Sequence, residues 1–328
     1  MTNLPDQPKP TSTATKFGWS FLSKWSWCET AWWYEQLRRH PKAPEGQLGI
    51  ETKSVSPALL IGGATHAGLE AWWLSGWEGD RDSGARSLDA MVKAGTEHLA
   101  ANVGRFRGDE AAEKAEGEVR GLLQGYHSRW SESPLRVVRG PDGDPLIEKE
   151  FHLDLGDGHI FTSRLDAVVM DPDDPEGVVN LEHKTSDVSR WNQLKEAFFV
   201  DGQVTGQQLQ LEAHYGDRVR GTILDGLLKR AKSVPPFQRP PIYKRNQSQL
   251  EKFHLDARRR LDHIEYATNK YHLLVEAGMT QDESARVAFD ASHAGSKTCA
   301  GCDFLALCKN RSQSEWIVDI DYKPKEPR

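Results

Sequence analysis

Four cysteines constrain this chain more than any other feature: Cys28 near one end, and Cys299, Cys302 and Cys308 in a C-x2-C-x5-C run near the other. Three closely spaced thiolates point to a metal centre. A ligating thiolate has lost its proton, so four together carry a negative charge that the metal offsets. Zinc and a [4Fe–4S] cluster both accept four thiolates, and ligand number alone does not choose between them. Cys28 and Cys299 are 271 residues apart (299 − 28), so a shared centre ties the first helix to the C-terminal segment. Cross-link entropy extended to such a loop gives roughly 5 kcal/mol, comparable with the net stability of a typical domain. Ordinary buried cysteines are the alternative, and that reading leaves unexplained why no cysteine lies elsewhere.

Hydrophobic periodicity divides the rest. Phe21, Trp25, Cys28 and Trp32 recur at helical spacing, predicting a helix over 21–39 capped by Ser20, with Cys28 facing the same way as three rings. A loop over 41–57 leads to a second helix from Pro57 that carries His66 and Glu70 one turn apart. The stretch 75–132 reads as wholly helical, with Val119, Leu122, Leu123, Tyr126 and Trp130 on one stripe and a charged opposite face. Alternation of Ile147, Phe151, Leu153 and Leu155 with charged residues then marks a strand. Turns at Gly156-Asp157-Gly158 and 171–177 separate it from strands over 159–170 and 178–185, an antiparallel meander. A helix over 205–215, a strand over 219–227 and a long helix over 247–278 follow. The order is helix, three strands, helix, strand, with further helices at both ends.

On the strand 178–185, alternation puts Glu182 and Lys184 on one face and His183 on the other, and Asp166 on the neighbouring strand can reach the first face. Two carboxylates and an ammonium then converge. Carboxylates hold hard cations such as Mg2+ or Mn2+. Such an ion polarises a phosphodiester and makes hydroxide available near neutral pH, while Lys184 orients water or stabilises charge on phosphorus. A surface salt bridge is the plain alternative. The apolar run Val178-Val179-Asn180-Leu181 argues against it, because buried strands seldom carry charges without partners or a role.

The order Cys28, His66, Asp166, Glu182-x-Lys184, Cys299-x2-Cys302-x5-Cys308 resembles the RecB-like branch of the PD-(D/E)XK nucleases, and within it the iron–sulfur subgroup that includes the AddB nuclease domain and CRISPR-associated adaptation exonucleases. The resemblance spans about residues 17 to 310. It implies a mixed α/β, restriction-endonuclease-like core with added helices, closed by a [4Fe–4S] cluster that joins the N- and C-terminal segments. It implies that His66, Asp166, Glu182 and the backbone carbonyl of His183 ligate Mg2+ or Mn2+, that Lys184 is the catalytic lysine, and that the four cysteines bind iron rather than zinc. The family's Gln followed four residues later by Tyr has no direct counterpart: Glu212 stands four after Gln208 and His214 four after Gln210. Gln208 or Gln210, with Tyr215, are the candidates for substrate binding. The implied activity is an exonuclease on single-stranded DNA ends, in recombination, repair, phage DNA processing or CRISPR adaptation, with helicase, recombination or adaptation proteins as candidate partners. The contrasting reading is a DNA-end-binding or assembly subunit with little activity of its own.

Composition narrows the setting. A net charge of −6 provides no global field for nucleic acid, so any phosphate-binding surface is local. The run Lys229, Arg230, Lys232, Arg239, Lys244, Arg245 is the candidate track, with a solvated loop as the alternative. Trp72, Trp73 and Trp77 could stack on bases, although tryptophans at helical spacing more often sit in a core. No stretch reads as a membrane span or signal peptide, and the cytoplasm is the expected location. The expected organisation is a flexible tail over 1–16, one nuclease domain over 17–310 with a helical insertion at 75–132, and an extension over 311–328.

Overall fold

The computed structural model describes residues 15–53, 55–79, 81–106, 108–229, 236–290, 299–310 and 314–326. Most of the expected tail, and the ends of the expected extension, lie outside them. No helix among the described residues is long and apolar enough to cross a membrane. The chain divides into two compact units, one comprising residues 1–17 and 56–253, the other 18–55 and 254–328.

The first unit is built on a six-stranded mixed sheet. Strands β5 (Ile147–Asp154), β6 (His159–Asp171) and β7 (Asp174–Asp187) form the expected antiparallel meander. Both flanking strands run closer to the 171–177 turn than its composition suggests. Strand β8 (Val219–Lys229) lies parallel to β7, and the short strand β1 (Thr15–Phe17) runs parallel to the start of β6. The buried segment Val178–His183 explains the continuous apolar run, because a strand flanked on both sides and covered on both faces has no solvent side.

Helices cover the sheet. Helix α3 (Pro57–Leu74) begins with Ser56, whose hydroxyl accepts from the Leu59 N–H, and with proline at its first position. It buries Leu60, Ile61, Ala64, Leu69, Trp72 and Trp73 and leaves His66 and Glu70 half-buried. It packs against α4 (Leu88–Ala101) and α5 (Asp109–Trp130). A Cβ at Gly68 would lie 2.6 Å from a Leu123 methyl and 2.9 Å from the Met91 carbonyl oxygen, so only hydrogen fits at that crossing. Helices α6 (Trp191–Phe198) and α7 (Gly202–Tyr215) follow β7, and α7 packs along β5 to β8. Asp201 caps α7 by accepting from the N–H groups of Gln203 and Val204.

The stretch 75–132 is not wholly helical. It opens with a hairpin, Trp77–Glu78 against Arg81–Asp82, turning through Gly79 at φ 63°. Arg86 grips Asp82 with two hydrogen bonds of 2.7 and 2.6 Å, and Asp82 also accepts from the Val137 N–H. These charges are internal fastenings, which a pattern of charged residues alone reads as helix surface. Trp72 and Trp73 are 1% exposed and belong to the core, so neither offers a face to a base.

In the second unit the expected continuous helix over 21–39 is two, α1 (Trp19–Trp27, capped by Gly18 rather than Ser20) and α2 (Glu29–Gln36). Cys28 lies between them in extended conformation, φ −168° and ψ 114°, and so leaves the stripe of Phe21, Trp25 and Trp32. The break has a packing reason: α2 buries five residues in a row, Thr30 to Tyr34, more than a single apolar stripe supplies. Trp25 and Trp32 meet edge to face at 5.2 Å, and both approach Phe289. Strands Ile50–Thr52 and Tyr322–Pro324 pair antiparallel, and the long helix α8 (Gln247–Glu276) contributes Leu261, Ile264 and Tyr271 to the buried set.

Candidate active site

Strands β6 and β7 stay paired from Met170↔Val178 to Ala167↔Leu181 and then part. At the parting, the Asp166 carboxylate accepts the His183 backbone N–H at 2.6 Å, a side chain standing in for a ladder bond. Asp166, Glu182 and Lys184 therefore gather at one place. Lys184 Nζ donates to Glu182 Oε1 at 2.5 Å. His66, from α3, sets its Nδ1 3.3 Å from Asp166 Oδ1.

A residue missed by the sequence reading completes the group. Glu148 falls opposite Asp166 on β5, between the partners Ile147↔Ala167 and Lys149↔Leu165. Its carboxylate lies 3.8 Å from His66 Nδ1. Its backbone is left-handed, φ 47°, an uncommon and strained state for a glutamate in a strand. Ligand atoms of His66, Glu148 and Asp166 all lie within 4.8 Å of one another. Glu182 stands beside this set. Alternation placed Glu148 among ordinary polar positions; its cross-strand register with Asp166 is the signal that finds it.

Charge at this place is unbalanced. Burial and then the Asp166 charge hold the Glu182 carboxyl above its usual range, with Lys184 opposing. Burial works against ionised Asp166, but His66 keeps it below its usual range. Burial likewise disfavours the His66 cation, yet Asp166, Glu148 and Glu182 push its pKa up to about 10. Lys184 stays an ammonium because Glu182 and Asp166 outweigh its burial. Three carboxylates facing one imidazole form a donor set suited to a hard divalent cation, and the cation and the His66 proton compete for that ring nitrogen.

Two amides position Glu182. Gln203 donates to Oε1 at 3.0 Å and Gln207 to Oε2 at 2.9 Å, and Gln207 accepts from Asn180. The candidates Gln208, Gln210 and Tyr215 are not brought to this place. Gln208 bonds the Arg245 backbone in both directions, Gln210 donates to the Phe151 and Phe161 carbonyls, and Tyr215 joins an apolar cluster with Leu211 and Val219. One helical position decides the matter, since only the α7 face carrying Gln203 and Gln207 looks along Glu182.

The other face of β7 is held by a buried polar network. Trp73 Nε1–H donates to His183 Nε2 at 3.2 Å, so the ring hydrogen sits on Nδ1, which lies 2.9 Å from the fully buried Asp225. Tyr126 donates to Asp225 at 2.6 Å, and Arg239 grips both carboxylate oxygens at 2.8 and 3.0 Å. Burial opposes ionised Asp225, but Arg239 and His183 hold it well below the carboxylate range. The network fixes the His183 ring and, through it, the backbone between Glu182 and Lys184.

Among the described residues of the basic run, three are committed within the protein. Arg239 is spent on Asp225, Arg245 is 2% exposed, and Lys244 donates to the Val219 carbonyl. Arg230 and Lys232 lie outside the described residues.

In the second unit all four cysteines are half-buried, and no disulfide joins any of them. The Cys302 N–H donates to the Cys299 carbonyl, closing a turn that carries both thiols. Burial, then the nearness of Cys308 and Cys28, pushes the Cys302 thiol up to about 11. Thiols distant in sequence thus act on one another through their charges.

A family model described as the PD-(D/E)XK nuclease superfamily matches residues 19–309. The chain belongs to that superfamily. No curated protein matches it. Nucleases of the PD-(D/E)XK superfamily typically use Mg2+ or Mn2+, which agrees with the oxygen-rich set around Asp166.

Asp225→Asn should cost about 3–5 kcal/mol, because it leaves the Arg239 charge buried without its partner. Chemical denaturation reads this directly, and an unchanged midpoint would show that the network carries no such load.

Proposed function

We propose that this chain is a metal-dependent deoxyribonuclease that hydrolyses phosphodiester bonds as an exonuclease on single-stranded DNA ends. The supporting observation is the convergence of His66, Glu148 and Asp166 within 4.8 Å of one another, beside the Glu182–Lys184 pair. A structural salt bridge needs two of these groups; five of them around a parted pair of strands suit a cation and a phosphate.

His66, Glu148 and Asp166 would hold the ion, with Glu182 and the His183 carbonyl adjacent. When bound, a divalent ion there polarises the scissile phosphate and supplies hydroxide near neutral pH. The remaining work falls to the chain. Glu182, locked by Gln203 and Gln207, keeps its carboxylate in one orientation. Lys184 can leave Glu182 for a phosphate oxygen or an attacking water, lending its charge where negative charge develops. The His183 network keeps these two residues in register while a strand enters.

Lys184→Ala should preserve folding and DNA binding while cleavage falls by about a hundredfold or more, the scale expected for one electrostatic donor. End-labelled linear and circular single strands, with and without Mn2+, provide the assay. Degradation of the linear strand alone supports the exonuclease reading. Equal cleavage of the circle overturns that part, and undiminished cleavage by the variant removes Lys184 from the chemistry.

We also assign Cys28, Cys299, Cys302 and Cys308 to a [4Fe–4S] cluster. The support is the half-buried setting of all four thiols and the pKa of Cys302, raised first by burial and then by the charges of Cys308 and Cys28. Anaerobically purified protein should be brown, with a broad absorption near 400 nm. Colourless protein with stoichiometric zinc would replace iron with zinc.

A further inference from the structure

A cavity of about 750 Å³ opens where β7 ends, and Thr185, the residue after Lys184, is part of its wall. Ser186, Asp187, Ser189 and Arg190 continue that wall, Leu194 and Ala197 of α6 add an apolar side, and Ala58 of α3 closes it. Beyond Leu181 this stretch of β7 has parted from β6 while it keeps its pairing to β8.

The charges here are unequal in availability. The Asp187 carboxylate accepts from the N–H and hydroxyl of Ser189, capping the turn Val188–Arg190. Lys229, also in the wall, lies 3.6 Å from Glu118. Arg190 is exposed and has no carboxylate partner among the described residues. An unpaired guanidinium beside hydroxyls and an apolar wall suits a phosphate flanked by sugar and base. It also answers a question left by the net charge, since the basic run at 239–245 is internally committed and the strand still needs a cation near Lys184.

We infer that this cavity receives the nucleic-acid strand adjoining the scissile bond and that Arg190 pairs with a backbone phosphate there. The inference rests on the nuclease reading, names a substrate-binding residue for it, and adds no chemical step. Because Arg190 reads phosphate, binding at this place is indifferent to base sequence.

The test is anisotropy of a fluorescent oligothymidylate on the full-length protein, with Ca2+ replacing Mg2+ so that binding is read without turnover, over about 50 to 200 mM salt. Arg190→Ala should weaken binding about tenfold at the lowest salt and flatten the slope of log affinity against log salt by about 0.7, the share of one single-strand phosphate. Arg190→Lys should restore the slope and part of the affinity. Lys93→Ala, an exposed cation on α4, serves as control. Wild-type affinity and slope in Arg190→Ala, with binding intact in the parent, overturn this inference alone. A parent protein that neither binds nor cleaves the oligonucleotide overturns the nuclease reading with it.

Discussion

The candidate site depends on one hydrogen bond, from the His183 N–H to the Asp166 carboxylate, made where β6 and β7 stop pairing. In an uninterrupted ladder that N–H would meet a backbone carbonyl, and the strands would lie too close for anything to enter between them. Using a side chain instead ends the pairing there, with Asp166 also facing His66. Glu148, opposite Asp166 on β5, adapts by taking a left-handed backbone. The strain falls beside the charges, as expected where a fold gives up local comfort for a site.

Two kinds of polar burial meet across β7. On the face of Asp225 one carboxylate meets one guanidinium, with a phenol donating to it and the His183 ring alongside. On the face of Glu182, that carboxyl is held above its usual range by burial and Asp166, and His66 is driven far above its own by the carboxylates around it. The first arrangement is a support, the second sets three carboxylates against His66 and Lys184, and a single strand carries both.

Much of this was legible in the sequence. Alternation along 178–185 put Glu182 and Lys184 together, and the meander brought Asp166 alongside. Family membership across residues 19–309 agrees with the superfamily named in the resemblance drawn from the order of these motifs. What escaped was decided by register and by breaks in regular structure. Glu148 looked like one more polar residue in an alternating strand, because only its cross-strand partner reveals it. Gln203 and Gln207 were passed over for Gln208 and Gln210; even the one position between Gln207 and Gln208 moves a side chain about 100° around a helix. Cys28 was placed on an aromatic stripe, which the break between α1 and α2 cancels. Arg239 read as a surface cation because its partner Asp225 lies on another element, 14 residues earlier.

The proposed reaction requires His66, Glu148 and Asp166 to share one divalent cation. Calorimetric titration of Mn2+ into the anaerobically prepared full chain, and into its Asp166→Asn and Glu148→Gln forms, tests it most directly. The parent should bind saturably, and each substituted protein at least about tenfold more weakly, as removal of a ligand or its close neighbour does. Unaltered Mn2+ affinity in both substituted proteins would contradict it.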